Sequence, residues 1–163
     1  RPVPQALRDT LMGYEAGESV AAIRVGDWAS LGTDARAVRT EVFVDEQQIP
    51  KDLEQDAADA TAVHAVVHNR LGQAVATGRL IPTGSPGVSQ VGRLAVKRVL
   101  RGGSLGRQVL QALTGVARSR GDREVMLHAQ NSAVGFYERL GWQRRGGLFE
   151  EAGIPHQEMF LPL

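Results

Sequence analysis

The residues Arg101-Gly102-Gly103-Ser104-Leu105-Gly106-Arg107 lead directly into an amphipathic stretch, and that junction carries the chain's clearest chemical signal. A helix N-terminus presents about four N–H groups with no intrahelical acceptor, and roughly half a positive charge. Glycines at its entrance keep the backbone bare, so a phosphate can settle on those amides. A hydrogen bond to a charged group contributes about 1.5–3 kcal/mol, so several such donors with Arg101 or Arg107 are enough to hold a diphosphate. Arg93, Lys97, Arg98, Arg101 and Arg107 follow one another with no acid between them, whereas residues 45–59 are acid-rich. Spacing alone equally permits a plain strand-to-helix turn. Two nucleotide signatures are absent: Gly106 is followed by Arg107 and Gln108, not by the Lys and hydroxyl of a Walker loop, and the next strand ends at Ala129-Gln130 without the acid of a dinucleotide fingerprint.

Other groups with chemistry to offer are few. Glu41 and Glu46, on a helical stretch, and His128 and His156 are carboxylates and imidazoles of the kind that can take or give a proton. Each is also compatible with an ordinary solvated or hydrogen-bonded role. His64 and His68 share a strand face but stand about 13 Å apart at ~3.3 Å per residue, too far to hold one ion, and no metal is expected. With no cysteine, disulfides, a thiol nucleophile and thiolate metal sites are excluded, which suits a reducing cytoplasm, the expected location.

These groups must be held by elements that the patterning outlines. Residues 19–25 read as a first strand. From Asp34, an acidic cap candidate, apolar Ala35, Val38 and Val42 predict a helix ended by Pro50. The Val-rich runs of residues 62–82, parted by Asn69-Arg70-Leu71-Gly72, predict a hairpin, and residues 90–98 another strand. Over residues 105–120, Leu105, Val109, Ala112, Leu113 and Val116 form one apolar face, with Gly121 as the stop. Residues 123–130 read as a strand, 131–140 as a helix capped by Asn131, and 142–163 as a closing hairpin. A parallel crossover over residues 90–130 within a mixed sheet covered by helices follows.

A chain of 163 residues buries roughly 70% of its unfolded surface as one domain. It has no apolar run near the ~20 residues of a membrane span, so no membrane partner is expected. A net charge of +1 argues against a nucleic-acid track. Residues 1–18, with Pro2, Pro4, Gly13 and Gly17, read as an N-terminal extension with a short helix near Leu7 to Tyr14 and no secretory signal, leaving 19–163 as the domain.

The segment VGRLAVKRVLRGGSLGRQVLQAL resembles the acetyl-CoA-binding segment of the GNAT acetyltransferase superfamily, with Arg101 and Gly106 at the ends of its pattern and Ser104 at the middle glycine. NSAVGFYERLGW resembles that superfamily's later helix, with Gln130 at the place of its usual Asn. RTEVFVDEQQIP, LHAQ and FEEAGIPHQEM together resemble the ElaA-like branch. The resemblance implies a mixed sheet of about six or seven strands flanked by helices, and acetyl transfer from acetyl-CoA to a primary amine by direct attack. It assigns Leu94, Ala95 and Val96 to the pantetheine arm and the thioester, Arg101, Gly102, Gly103, Ser104, Leu105, Gly106 and Arg107 to the diphosphate, and Tyr137 to the departing thiolate. A lysine-like ammonium costs about 4 kcal/mol to deprotonate at neutral pH, so a base is wanted. The family's frequent strand glutamate is missing from residues 90–97, which leaves Glu41, Glu46, His128 and His156 as candidates near the substrate. Two alternatives stand beside this reading: a noncatalytic acyl-CoA-binding module, and a synthase of signalling lactones using longer acyl chains. A homodimer is plausible from the edge strands.

Overall fold

The Val- and Ala-rich runs on either side of residues 69–72 double back on each other, as the turn chemistry requires. In the computed structural model, which describes residues 22–163, β2 (Val63–His68) pairs antiparallel with β3 (Ala74–Pro82). The Asn69 side chain accepts from the amides of Leu71 and Gln73, both at 3.0 Å, fixing the turn. β1 (Ala22–Gly26) lies outside β2, and β4 (Val88–Val96) lies inside β3, both antiparallel. β4 pairs in parallel with β5 (Glu124–Gln130), and the closing hairpin adds β7 (Ile154–Pro162) against β5 and β6 (Gln143–Glu151) at the far edge. The result is a seven-stranded mixed sheet in the order β1-β2-β3-β4-β5-β7-β6. The crossover between β4 and β5 is helix α3, described below.

Helices cover both faces. The first helix, α1 (Trp28–Arg39), packs Leu31 and Ala35 on Val66 of β2. A π-helical segment (Thr40–Glu46) continues it and packs Val42 and Phe43, with Val38 of α1, against Ala95 of β4. Asp27, not Asp34, caps α1, accepting from the Ser30 amide at 2.9 Å. The helix therefore begins earlier than the apolar spacing predicts, because its first turns bury the small residue Gly32 under Trp28 instead of a bulky stripe. Two short pieces follow that the pattern does not predict: α2 (Lys51–Glu54) and a 3-10 turn (Ala57–Ala60).

On the other face lies α3 (Leu105–Ser119), whose Leu105, Val109, Leu110 and Leu113 join Ala65, Val67, Val75, Val91, Val125 and Leu127 in the main core. Residues 131–140 form a 3-10 turn (Asn131–Ala133) followed by α4 (Val134–Arg139). Asn131 is thus not the cap; Ala133 occupies that position, with no side-chain hydrogen bond. The expected extension over residues 1–18 and the beginning of the first strand lie outside the described residues. Among those described, no helix is long and apolar enough to cross a membrane.

Candidate active site

The site begins with an interruption in the sheet. β4 and β5 share residue pairs only from Val88–Glu124 to Val91–Leu127, yet β4 continues to Val96 and β5 to Gln130. Beyond Val91 and Leu127 the two strands part. A bulge in β4 accompanies the parting: Thr77 and Arg79 of β3 face Ala95 and Gly92, so β4 has one residue more than its partner there. Arg93 takes up the strain, with φ of 52°. The extra residue reverses the phase of the strand. Val91 packs in the core under α3, but Ala95, four residues later, packs under α1, and Leu94 and Val96 take the α3 side. The Lys97 amide points to Val75 of β3 at 3.0 Å, so strand alternation turns the amides of Val96 and Leu94 toward the gap.

A cavity of about 650 Å³ opens where this gap meets the glycine turn. All seven residues from Arg101 to Arg107 line it, together with Leu94, Val96 and Phe136. The Gln108 amide bonds the Ser104 carbonyl at 2.9 Å, which leaves the amides of Leu105, Gly106 and Arg107 without acceptors inside α3. The Ser104 hydroxyl is held by the Gln108 side chain at 2.7 Å. Gly102 has φ of 87°, a left-handed conformation in which a side chain is strained. A methyl group on Gly106 would stand 3.4 Å from Phe136, a close approach that leaves little room for more. Arg101 is already engaged: it donates to Glu46 at 2.5 and 2.7 Å and to the Val96 carbonyl at 3.0 Å. That guanidinium holds the Glu46 carboxyl below the usual carboxylate range.

A second cavity, of about 430 Å³, lies across the gap. Its apolar wall includes Val42, Phe43, Ile49 and Ile81, and its polar wall includes His128, Glu151 and His156. Gln47 and Gln130 exchange side-chain hydrogen bonds of 2.9 and 3.4 Å at its edge. Leu94, Val96, Arg101, Ala133 and Tyr137 border both cavities, so the two meet there. Tyr137 stands edge-on to Phe136 and Trp142, and its hydroxyl makes no hydrogen bond among the described residues. Burial raises the phenol's pKa far above its ordinary value, so it stays protonated.

Under the second cavity sits a buried ionic network. Arg39 bonds both Glu54 and Asp59, the latter at 2.8 and 3.0 Å, and Arg79 bonds Asp59 at 2.9 Å and Asp56 at 2.6 and 2.8 Å. Arg93 at the bulge joins through the Glu54 carbonyl at 3.0 Å. Hydrogen bonds from Arg79 hold the Asp56 carboxyl down at about 2. The network ties α1, α2 and β3 to the bulge. Apart from the acid richness of residues 45–59, nothing in the sequence announces it, since Arg39 and Arg79 fall at positions where a pattern expects solvent.

Residues 28–163 match the acetyltransferase (GNAT) domain family. The chain belongs to that family. The GNAT domain is also 34% identical over 127 residues to YjcF of Bacillus subtilis, named as an uncharacterized N-acetyltransferase, covering 77% of this chain and 89% of YjcF. Among solved structures, an acyl-CoA N-acyltransferase from Pseudomonas aeruginosa aligns with a TM-score of 0.75 and 30% identity, and Escherichia coli ElaA with 0.77 and 25%. Each alignment covers 86% of this chain and 99% of the other. GNAT membership, the ElaA likeness and the seven-stranded sheet agree with the reading of the motifs, and they bring acyl transfer from an acyl-CoA to an acceptor.

The GNAT domain gathers some of the residues predicted from sequence and separates others. Leu94, Val96, Arg101 to Arg107 and Tyr137 converge on the glycine-turn cavity, whereas Ala95 lines only the second one. His128 and His156 line the second cavity, with Gln90 of β4 beside them. Glu41 and Glu46 do not: Glu41 is exposed, 3.9 Å from Lys97, and Glu46 is taken by Arg101. Glu151 and Gln47 were not singled out by sequence, and Gln130 was named only as standing at the place of the family's usual Asn. Among the described residues no group of His, Cys, Asp and Glu is arranged to hold a metal ion; His64 bonds the Asp59 carbonyl and His68 bonds Asp34.

Proposed function

We propose that this chain transfers an acetyl group from acetyl-CoA to a primary amine by direct attack within a ternary complex, its catalytic domain spanning residues 19–163 and acting in the cytoplasm. The observation that carries the reading is the meeting of two cavities at the β4–β5 gap, with Tyr137 on both. One cavity ends on free helix-terminal amides, as a diphosphate needs, and the other ends on acceptor-sized space.

The residues divide the work accordingly. The amides of Leu105, Gly106 and Arg107, with Gly102 and Gly103 holding the turn open, take the diphosphate, and Arg107 adds charge at the rim. Arg101 exchanges its contacts with Glu46 and the Val96 carbonyl for that ligand. The amides of Leu94 and Val96, freed by the parting of the strands, serve the pantetheine arm and the thioester oxygen, where an oxyanion develops. Ala95 anchors this strand segment from the opposite face. Tyr137, kept protonated by burial, donates to the departing sulfur, whose thiol pKa is near 8.5. The apolar wall of the second cavity suits a small amine with an apolar body.

The test is calorimetric titration with coenzyme A, followed by acetyl-CoA turnover, read as thiol release, with phenethylamine, spermidine, free lysine and a short peptide carrying a free α-amine. Binding with turnover of at least one amine supports the reading. Binding without turnover of any amine favours a regulatory acyl-CoA-binding module, and preference for long acyl chains would shift the reading to another acyl donor.

A further inference from the structure

Three strands bring one acid and two imidazoles to the polar wall of the acceptor cavity. His128 stands on β5 just beyond the last residue pair shared with β4, Glu151 ends β6, and His156 lies near the start of β7. Glu151 Oε1 lies 3.2 Å from His128 Nδ1. The Phe149 ring meets His128 edge-on at 4.9 Å and stacks on His156 at 5.9 Å, which restrains both imidazoles.

The partners decide the tautomers. A carboxylate only accepts, so Glu151 places the proton of a neutral His128 on Nδ1 and leaves Nε2 with a bare lone pair. No described residue hydrogen-bonds that nitrogen. His156 is differently occupied. Its Nδ1 donates to the Ile154 carbonyl at 2.7 Å, and its Nε2 is 3.7 Å from Glu151 Oε2, so this ring belongs to the β6–β7 turn. The remaining carboxylates are committed: Glu46 to Arg101, and Glu54, on the cavity wall, to Arg39, with its second oxygen buried.

We propose that His128 takes the proton of the attacking amine through Nε2, and that Glu151 is the positioning residue that holds the imidazole for this task. The inference rests on the acyl-transfer reading above. As the neutral amine adds to the thioester, the new N–C bond makes the nitrogen acidic and its proton passes to His128 Nε2. The C–S bond then breaks with its electron pair on sulfur, a thiolate that Tyr137 stabilises by a hydrogen bond and that takes its proton from water as coenzyme A leaves. His128, 29% exposed at its side chain, releases its proton to water. Glu151 of β6 contacts the ring, Glu158 of β7 is its register partner, and His156 of β7 and Arg93 of β4 line the same cavity. Glu158 is bound by Arg145, and Arg93 by Leu53, Glu54 and Asp56, which leaves Glu151 as the charge that acts on His128.

The experiment uses the full chain, acetyl-CoA and whichever amine of the panel gives the highest kcat/KM. His128→Gln is expected to lower kcat by about 10²–10³-fold with KM for acetyl-CoA within about threefold. Glu151→Gln loses the acceptor that fixes the ring, so kcat is expected to fall about tenfold with KM for acetyl-CoA within about threefold, and Glu151→Asp is expected to recover most of that loss. A kcat for His128→Gln within about threefold of native, or a Glu151→Gln variant that loses thermal stability while keeping the native kcat, overturns the proposal. If the native chain binds coenzyme A but turns over no amine, the acyl-transfer reading falls and this inference with it; turnover that survives His128→Gln removes this inference alone.

Discussion

Replacing Asp59 by Asn leaves the shape of the ionic network beneath the second cavity almost unchanged and removes one charge from its centre. Asp59 takes three charge-assisted hydrogen bonds, two from Arg39 and one from Arg79. All three side chains are nearly sealed from solvent, at 2% exposure for Arg39, 4% for Arg79 and 6% for Asp59. In the native chain Arg39, Arg79 and Arg93 face Glu54, Asp56 and Asp59, so the charges balance. In Asp59→Asn one buried positive charge is left over, and the new amide N–H group points at a guanidinium that also donates. Breaking a buried pair from one side costs about 3–5 kcal/mol, against a total stability on the order of 5–15 kcal/mol. At about 2–4 °C per kcal/mol for a chain of this length, thermal unfolding followed by circular dichroism should shift down by roughly 6–20 °C. The control is Glu158→Gln at the exposed pair with Arg145, where the expected loss is within about 1 kcal/mol. An Asp59→Asn variant no less stable than the Glu158→Gln control would refute the argument that this network is held together by its charges.

Three further outcomes follow from the same geometry. Tyr137→Phe should lower kcat by about 10–100-fold with KM for acetyl-CoA and folding stability little changed, because the hydroxyl has no described protein partner to lose; an unchanged kcat removes Tyr137 from stabilising the departing sulfur. Gly106→Val should raise KM for acetyl-CoA at least tenfold, since its first carbon already reaches 3.4 Å from Phe136, and coenzyme A titration would expose the error if affinity is native. Acid should destabilise the fold through Asp56: its folded pKa near 2 lies below the unfolded value, so its stabilisation is complete above about pH 5 and fades as pH falls from about 4 toward 2. Because this carboxylate is 39% exposed, screening reduces the effect to about 1–2 kcal/mol, and urea midpoints at pH 7, 4 and 3 should show a shallower decline for Asp56→Asn than for the native chain.

What could be read in advance follows from how each element is stabilised. Helix α3 was legible almost to the residue, because a continuous stripe of Leu and Val meets the sheet and Gly121 ends it. The start of α1 was not, because Gly32 fits beneath Trp28 where a stripe would need bulk, and that accommodation exists only in three dimensions. The short α2 and the 3-10 turn are tied by Arg39 and Arg79 from distant elements, so no local period marks them. The glycine turn and Tyr137 could be named from local motifs, and the fold brings both to one cavity. The place of Glu151 beside His128 depends on how β6 and β7 pair and on the turn between them, which composition does not encode.

The short pairing of β4 with β5 has a mechanical consequence. The sheet is in effect two panels, β1 to β4 and β5 to β6, stitched along one edge by residues 88–91 and 124–127 and open along the other. A donor whose amide-bearing arm lies in the opening would act as a partial eighth strand, closing the seam from within. Amide exchange should then slow at Leu94 and Val96 when coenzyme A is added, making the donor a structural member of the protein for as long as it stays.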